Sequence, residues 1–413
     1  MSVPAAKSQS EQSELPSVAQ PAQAASLRIL DASVIRVFII MFCTTTSFYL
    51  LLSVVPLYAT AAGASGIGAG SVTGALMCST VAIELATPYL VARIGYRTVL
   101  AAALVLIGLP SLALGASTSM PAILVMCLVR GLGFGIIFVL GSSLVAWFVP
   151  AARHSEALGL LGIVVGIPAV LGLPLGVWFA VHVGYIPVFA TAAIVPIVAL
   201  LAIPGLPRRD AALAPATAAL SQLRAHGQFA PATIFAVTSM AAGVVVTFLP
   251  LLVTQSAGNV AALALLVQAI SMTLMRAWAG HQGARRGNVK MLIAAVVMTS
   301  AGIFVLVVSS GTMSVLVAMA LFGGGFGVAQ NASLALMFER VSNAHYDAVS
   351  ALWNAAYDTG LGLGAAGFGL IAATTGYRVA LGLTAVVVLA ALVPALRERA
   401  RDQIRRDSVA VDS

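Results

Sequence analysis

Four ionisable residues stand inside long apolar runs of this chain: Glu84, Arg130, Arg276 and Asp358. A charged side chain at the centre of a membrane helix costs about 2.5–3.5 kcal/mol on insertion scales, so such groups face protein or water and mark ion or substrate paths. The acids Glu84 and Asp358 are the chemistry-bearing pair, since a buried carboxyl can be tuned to load and release a proton within a working cycle. Arg130 cannot usefully deprotonate. It would act as a fixed positive charge beside a carboxylate or a substrate, so it joins the two acids as a proton-coupling candidate. Arg276 reads as structural, its long stem able to snorkel toward the interface. The plain alternative is an internal ion pair for the acids, Asp358 with Arg276 or with the loop arginines, and for Arg130 a purely structural role bonding helix carbonyls. The four charges sum to zero, which argues against a chamber built for a strongly charged substrate.

Polar and aromatic residues inside the same runs are the expected cavity lining. They are Thr44, Thr45, Thr46 and Tyr49 in the first run, Gln330 and Asn331 in the tenth, and Trp353, Asn354 and Tyr357 in the eleventh. Singly, each is more often a packing residue; together they describe a mostly apolar chamber suited to a small amphiphilic molecule. The glycine runs at 131–135, 323–327 and 360–368 lack the lysine and hydroxyl residue of a phosphate loop and read as close helix packing. The five histidines form no metal-spaced cluster, and no nucleophile stands beside a base. The expectation is therefore neither an enzyme nor a metalloprotein, with no cofactor and with energy drawn from a proton gradient.

The elements that must position these residues are membrane helices. The 413 residues are 60% hydrophobic and 8% charged, against roughly 25% charged in a soluble domain. A bilayer core takes about 20 apolar residues per helix, and twelve such runs can be drawn, near 35–61, 67–92, 98–116, 121–146, 155–181, 185–203, 231–255, 260–283, 289–309, 314–338, 348–374 and 378–396. Continuous apolar runs without alternation exclude a β-barrel. The expected organisation is a disordered cytoplasmic tail at 1–33, a six-helix half at 34–203, a linker at 204–230, a second half at 231–396 and a cytoplasmic tail at 397–413. Cys43, Cys78 and Cys127 all lie in apolar runs and read as small buried hydrophobes, not as a disulfide framework.

The net charge of +8 belongs to the membrane and not to nucleic acid. With the N-terminus inside, 18 of 21 Lys and Arg fall in inner loops and tails and only Arg378 falls outside, which by the positive-inside rule makes both termini cytoplasmic. The halves also look duplicated. Arg93 and Gly95 recur as Arg285 and Gly287, Gly133-Phe134-Gly135 as Gly325-Phe326-Gly327, and Gly184-Tyr185 as Gly376-Tyr377, all at a shift of 192; Glu84 is replaced by Arg276 at that shift. Two halves of like topology predict a parallel repeat about an axis along the membrane normal, an arrangement tied to transport by rocking.

The loop PYLVARIGYR resembles the signature between the second and third helices of the major facilitator superfamily: Arg93, Gly95 and Arg97 fit, while Pro88 and Ala92 replace its first glycine and its aspartate. Arg130-Gly-Leu-Gly133-Phe-Gly135 is similar to that family's fourth-helix motif, and GLLGIVVGIPAVLGLPLG, residues 159 to 176, resembles a loose form of the fifth-helix motif of its drug:proton antiporter branch. The resemblance implies an all-α membrane protein of twelve helices in two pseudo-symmetric six-helix halves. It implies a central cavity bordered by the helix of Arg130, and gate loops at Arg93, Gly95 and Arg97 and at Arg285, Arg286 and Gly287.

The expected protein is a monomeric multi-pass transporter of the bacterial inner membrane. It would export small amphiphilic organic compounds in exchange for protons, its partners being that substrate, protons and the lipid bilayer. An importing symporter or facilitator of the same fold is the first alternative. A non-transporting membrane sensor or scaffold is the second.

Overall fold

The structure is a computed structural model, and it describes residues 31–149, 153–207, 227–253, 258–308, 311–341 and 345–411. Most of the tail expected at 1–33 and of the linker expected at 204–230 lies outside these residues. Twelve helices follow in order: α1 Ala32–Ala61, α2 Gly66–Ile94, α3 Tyr96–Ala116, α4 Met120–Phe148, α5 His154–His182, α6 Tyr185–Gly205, α7 Phe229–Val253, α8 Gly258–Arg286, α9 Asn288–Val308, α10 Thr312–Phe338, α11 Tyr346–Thr375 and α12, which starts at Tyr377. Eleven are long and apolar enough to cross a membrane. The other, α11, is thirty residues long but diluted by Asn354, Asp358 and five glycines between 360 and 369.

Local chemistry explains where the helices bend and stop. The first is two pieces, Ala32–Leu52 and Val54–Ala61, meeting at Ser53. Pro56 has no N–H to give the Leu52 carbonyl four residues back, so the ladder opens there. At its start the Asp31 carboxylate accepts from the Ser33 N–H at 3.4 Å, an N-cap of the usual kind. Turns α2–α3 and α8–α9 are made by Gly95 and Gly287 at φ 78° and 83°, a region that glycine enters without steric cost. The last element does not end where the sequence turns polar. After a break at Ala391 it resumes as Leu392–Val411, so much of the tail expected at 397–413 is helical. Its buried Glu398 binds Arg340 and bridges to Arg401 at 3.0 Å.

The duplication holds in three dimensions. On α4, a Cβ at Gly131, Gly133 or Gly135 would meet the carbonyl oxygen of Leu76, Ala103 or Thr80; on α10, one at Gly323, Gly325 or Gly327 would meet that of Gln268, Ala295 or Met272. Each contacted partner is displaced by the same 192 residues as its glycine. The glycine runs are thus the places where helix backbones touch.

The two halves meet unevenly. Near the ends of the helices far from the described termini, α2 packs along α11, α5 against α8, and the outer piece of α1 against α7. Ser53 Oγ donates to the Val246 carbonyl at 2.5 Å, and Thr73 and Thr247 share a hydrogen bond at 2.9 Å. Val246 is the residue four before Pro250, so its carbonyl has lost its helical donor; the serine of the opposite half supplies one. At the other end, among the described residues, α4 has no comparable packing on α10 or α11. Cβ positions at Gly159, Gly162 and Gly166 of α5 would meet no atom within 4 Å there. The bundle is closed at one end and parted at the end where α1 begins.

Candidate functional site

The polar centre lies about halfway along the helices, where the closed zone begins. Glu84 is ten residues from the end of α2, which is about 15 Å at 1.5 Å per residue; Arg276 stands at the matching place on α8. Helix α11 runs antiparallel to α2 and carries Trp353, Asn354, Tyr357 and Asp358 into the seam. Small residues make that approach possible, because Gly70, Gly74 and Gly362 leave no side chain between the two backbones.

Across this seam the carboxyls of Glu84 and Asp358 face one another closely enough to interact. Two carboxylates have only acceptors, so a hydrogen bond between them requires a proton on one. Asp358 is 3% exposed, and Glu84 is half-buried with Oε1 enclosed and lacking any hydrogen-bond partner. Beside them, the phenols of Tyr49 on α1 and Tyr357 on α11 lie close enough to interact. Both contacts join one half to the other.

Arg276 completes the group. Its Nη1 donates to Gln330 Oε1 at 3.2 Å, and its charge acts on Tyr49 and Tyr357. It is solvent-exposed; at mid-helix and beside residues of α1 and α11, that exposure is to the opening between the halves. The alternative of an Arg276–Asp358 ion pair is not what the structure holds: the ion pairs among the described residues are Arg153–Glu156, Arg340–Glu398 and Arg401–Glu398. The guanidinium is taken by Gln330 instead.

An aromatic wall backs the site. Phe235 of α7 stacks on Trp353 with centroids 4.4 Å apart and planes at 11°, and Tyr357 lies 6.5 Å from Trp353 and 6.3 Å from Phe326. Trp353 is fixed by its indole N–H, which donates to Ser333 Oγ at 3.0 Å. Tyr49, Asn331 and Asn354 are half-buried, and Gln330 is buried.

Other expected residues go elsewhere. Arg130 is 1% exposed, and its Nε donates to Ser111 Oγ at 2.9 Å and its Nη2 to the Ser47 carbonyl at 3.3 Å. It ties α4 to α3 and α1, and neither carboxyl is among its hydrogen-bond partners. Thr45 and Thr46 turn back onto the Met41 and Phe42 carbonyls of their own helix, and the buried Thr44 hydroxyl has no partner. In the loops expected to act as gates, Arg93 lies over the Tyr89 ring at 4.9 Å, Arg286 over Trp278 at 5.3 Å, and Arg97 donates to the Pro204 carbonyl at 2.9 Å; Arg285 is exposed. The cysteines are free, but only Cys127 is buried. Cys43 is half-buried and Cys78 is exposed on α2, so burial was the wrong expectation for it: an apolar run also has a lipid-facing side. Sequence reasoning missed Phe235, Ser53 and Thr247, because an aromatic, a serine or a threonine in an apolar run carries no signal until its neighbour is known.

Such an architecture, two like six-helix halves sharing a polar centre on their seam, defines an all-α membrane protein of the transporter type. The chain belongs to the Major Facilitator Superfamily, whose model matches residues 37–359 and 232–410. It is accordingly a transporter and not an enzyme. An uncharacterized MFS-type transporter of Bacillus subtilis, YfiU, is 39% identical over 84 residues, a stretch of 20% of this chain and 16% of that protein. Among solved structures, a D-xylose-proton symporter superposes with a TM-score of 0.71 at 15% identity, covering 88% of this chain and 96% of the other. The nucleoside transporter NupG, in a mutant form, gives 0.70 at 14%, covering 89% and 99%. A POT family peptide transporter in an auto-inhibited form gives 0.70 at 13%, covering 89% and 97%. At these identities the likeness is one of fold.

Proposed function

We propose that this chain is a proton-coupled secondary transporter that exports small amphiphilic organic compounds by alternating access, with Glu84 and Asp358 carrying the proton. The observation that supports this most is the carboxyl pair itself. Its two carboxyls face each other from opposite halves, Asp358 buried and Glu84 half-buried, beside an opening lined by aromatic rings. Movement of the halves that parts the seam separates the two carboxyls, so proton occupancy and conformation are linked through one contact.

The bias of Lys and Arg toward the loops near the described termini supports a cytoplasmic placement of both ends in a bacterial inner membrane. The parted end is then cytoplasmic and the state is inward-open. Tyr49, Gln330, Asn331, Trp353, Asn354 and Tyr357 line the substrate path, and Arg276 joins them. Arg130 acts as the fixed charge that keeps α1, α3 and α4 in register behind the pair. Arg93, Gly95, Arg97, Arg285, Arg286 and Gly287 form the gate loops at the parted end. The protein works as a monomer and needs no cofactor beyond the proton gradient.

The test uses everted vesicles energised by respiration and loaded with compounds first selected by thermal shift of the purified protein. Wild type concentrates them in the lumen, and a protonophore abolishes this. Glu84→Gln should lose at least tenfold of the gradient-driven uptake while keeping exchange of labelled for unlabelled compound. If Glu84→Gln keeps full proton dependence, the carboxyl assignment is wrong; if wild type extrudes compound from everted vesicles instead, the direction is inward.

A further inference from the structure

Two opposite charges share the centre of this protein without pairing. Opposite charges in contact attract far more strongly inside a protein than in water, yet among the described residues no carboxylate lies within 4.0 Å of Arg276. They are anchored apart. Gln330 accepts from the guanidinium at 3.2 Å, the carboxyls of Glu84 and Asp358 face each other across the seam, and Tyr49 and Tyr357 lie where both Arg276 and Asp358 act on them. The arginine is open to the gap, and Glu84 keeps one enclosed oxygen with no donor. With one proton on the carboxyl pair, the site carries +1 on α8 and −1 at the seam.

A singly charged ligand matches only one of these poles and leaves the other unanswered, whereas a dipolar ligand answers both. We propose that the centre is a subsite for aromatic zwitterions, its anionic group taken by Arg276, its ammonium by Glu84 and Asp358, and its ring by Trp353 and Tyr357. Arginine suits a carboxylate because it offers two parallel donors. The ammonium donates to the carboxylates in place of the shared proton, which leaves to water: the protonated pair plus zwitterion gives the doubly ionised pair with zwitterion and one free proton. This inference rests on the proton-carrying role proposed above and adds the substrate class.

The test uses full-length protein in lipid nanodiscs and one aromatic frame in three charge states. These are 4-(aminomethyl)benzoate, its methyl ester as the cation and its N-acetyl derivative as the anion. Saturation-transfer NMR titrations give the affinities, and a pH dye in weak buffer reports proton release. Wild type should bind the zwitterion at least tenfold tighter than either analogue. Arg276→Gln should bring zwitterion and ester within twofold, Asp358→Asn should bring zwitterion and N-acetyl derivative within twofold, and Arg276→Lys should restore part of the preference if charge and not shape is lost. Equal affinities, a preference for a singly charged analogue, or no saturable binding of any of the three would overturn the proposal. Zwitterion preference without proton release would instead sink the proton-carrying role and leave the zwitterion site standing. Release without preference does the reverse.

Discussion

Arg130 and Arg276 carry the same charge in equivalent surroundings of sequence, an apolar helix broken by glycine, and the fold gives them different tasks. Arg130 is enclosed by its own half and bonded to Ser111 and to the Ser47 carbonyl; Arg276 opens onto the gap. A hydrogen bond made by a charged donor contributes about 1.5–3 kcal/mol, and lysine cannot reproduce a forked donor set. Arg130→Lys should therefore lower the melting temperature of the detergent-solubilised protein by several degrees and leave the pH dependence of transport unchanged. A shifted pH profile with unaltered melting would mean that Arg130 acts on the proton-carrying acids directly.

At the scale of elements, the seam between α11 and its neighbours depends on missing side chains. Gly243 of α7 abuts the carbonyl of Leu361, Gly364 of α11 that of Met240, and Gly360 that of Ala236. No rotamer change relieves a clash with backbone, so Gly243→Leu must push α7 and α11 apart and with them Phe235 from Trp353. Size-exclusion chromatography should show loss of the monodisperse peak. Gly159→Leu, on a part of α5 with no atom within 4 Å of a Cβ, should elute as wild type; equal damage from the two would show that helix propensity, not contact, decides. Proline acts at this scale too. Pro56 and Pro250 free carbonyls on α1 and α7, and Ser53 answers one of them across the seam.

For the whole molecule, closure at one end and separation at the other make Arg276 reachable from a single side. In a background without Cys43, Cys78 and Cys127, Arg276→Cys should react with a membrane-impermeant maleimide at least tenfold faster in everted than in right-side-out vesicles. The opposite sidedness would invert the proposed topology, and equal rates would mean that the two halves exchange freely between states in the absence of substrate.

Much of this could be read along the chain. Hydropathy gave the helices, since an apolar run of twenty residues has no other stable fate in a bilayer, and the shift of 192 gave the two halves because duplicated backbones need glycine at the same close approaches. Glu84, Arg276 and Asp358 stood out because charge in such runs is costly. Which of them touch was beyond the sequence. Pairing of Glu84 with Asp358, isolation of Arg276 and enclosure of Arg130 depend on how α2, α8, α4 and α11 cross, and a helix specifies its own faces but not the neighbour each will meet. The same holds for the end that closes: Ser53, Thr73 and Thr247 are ordinary as residues and become a latch only when the halves are brought together.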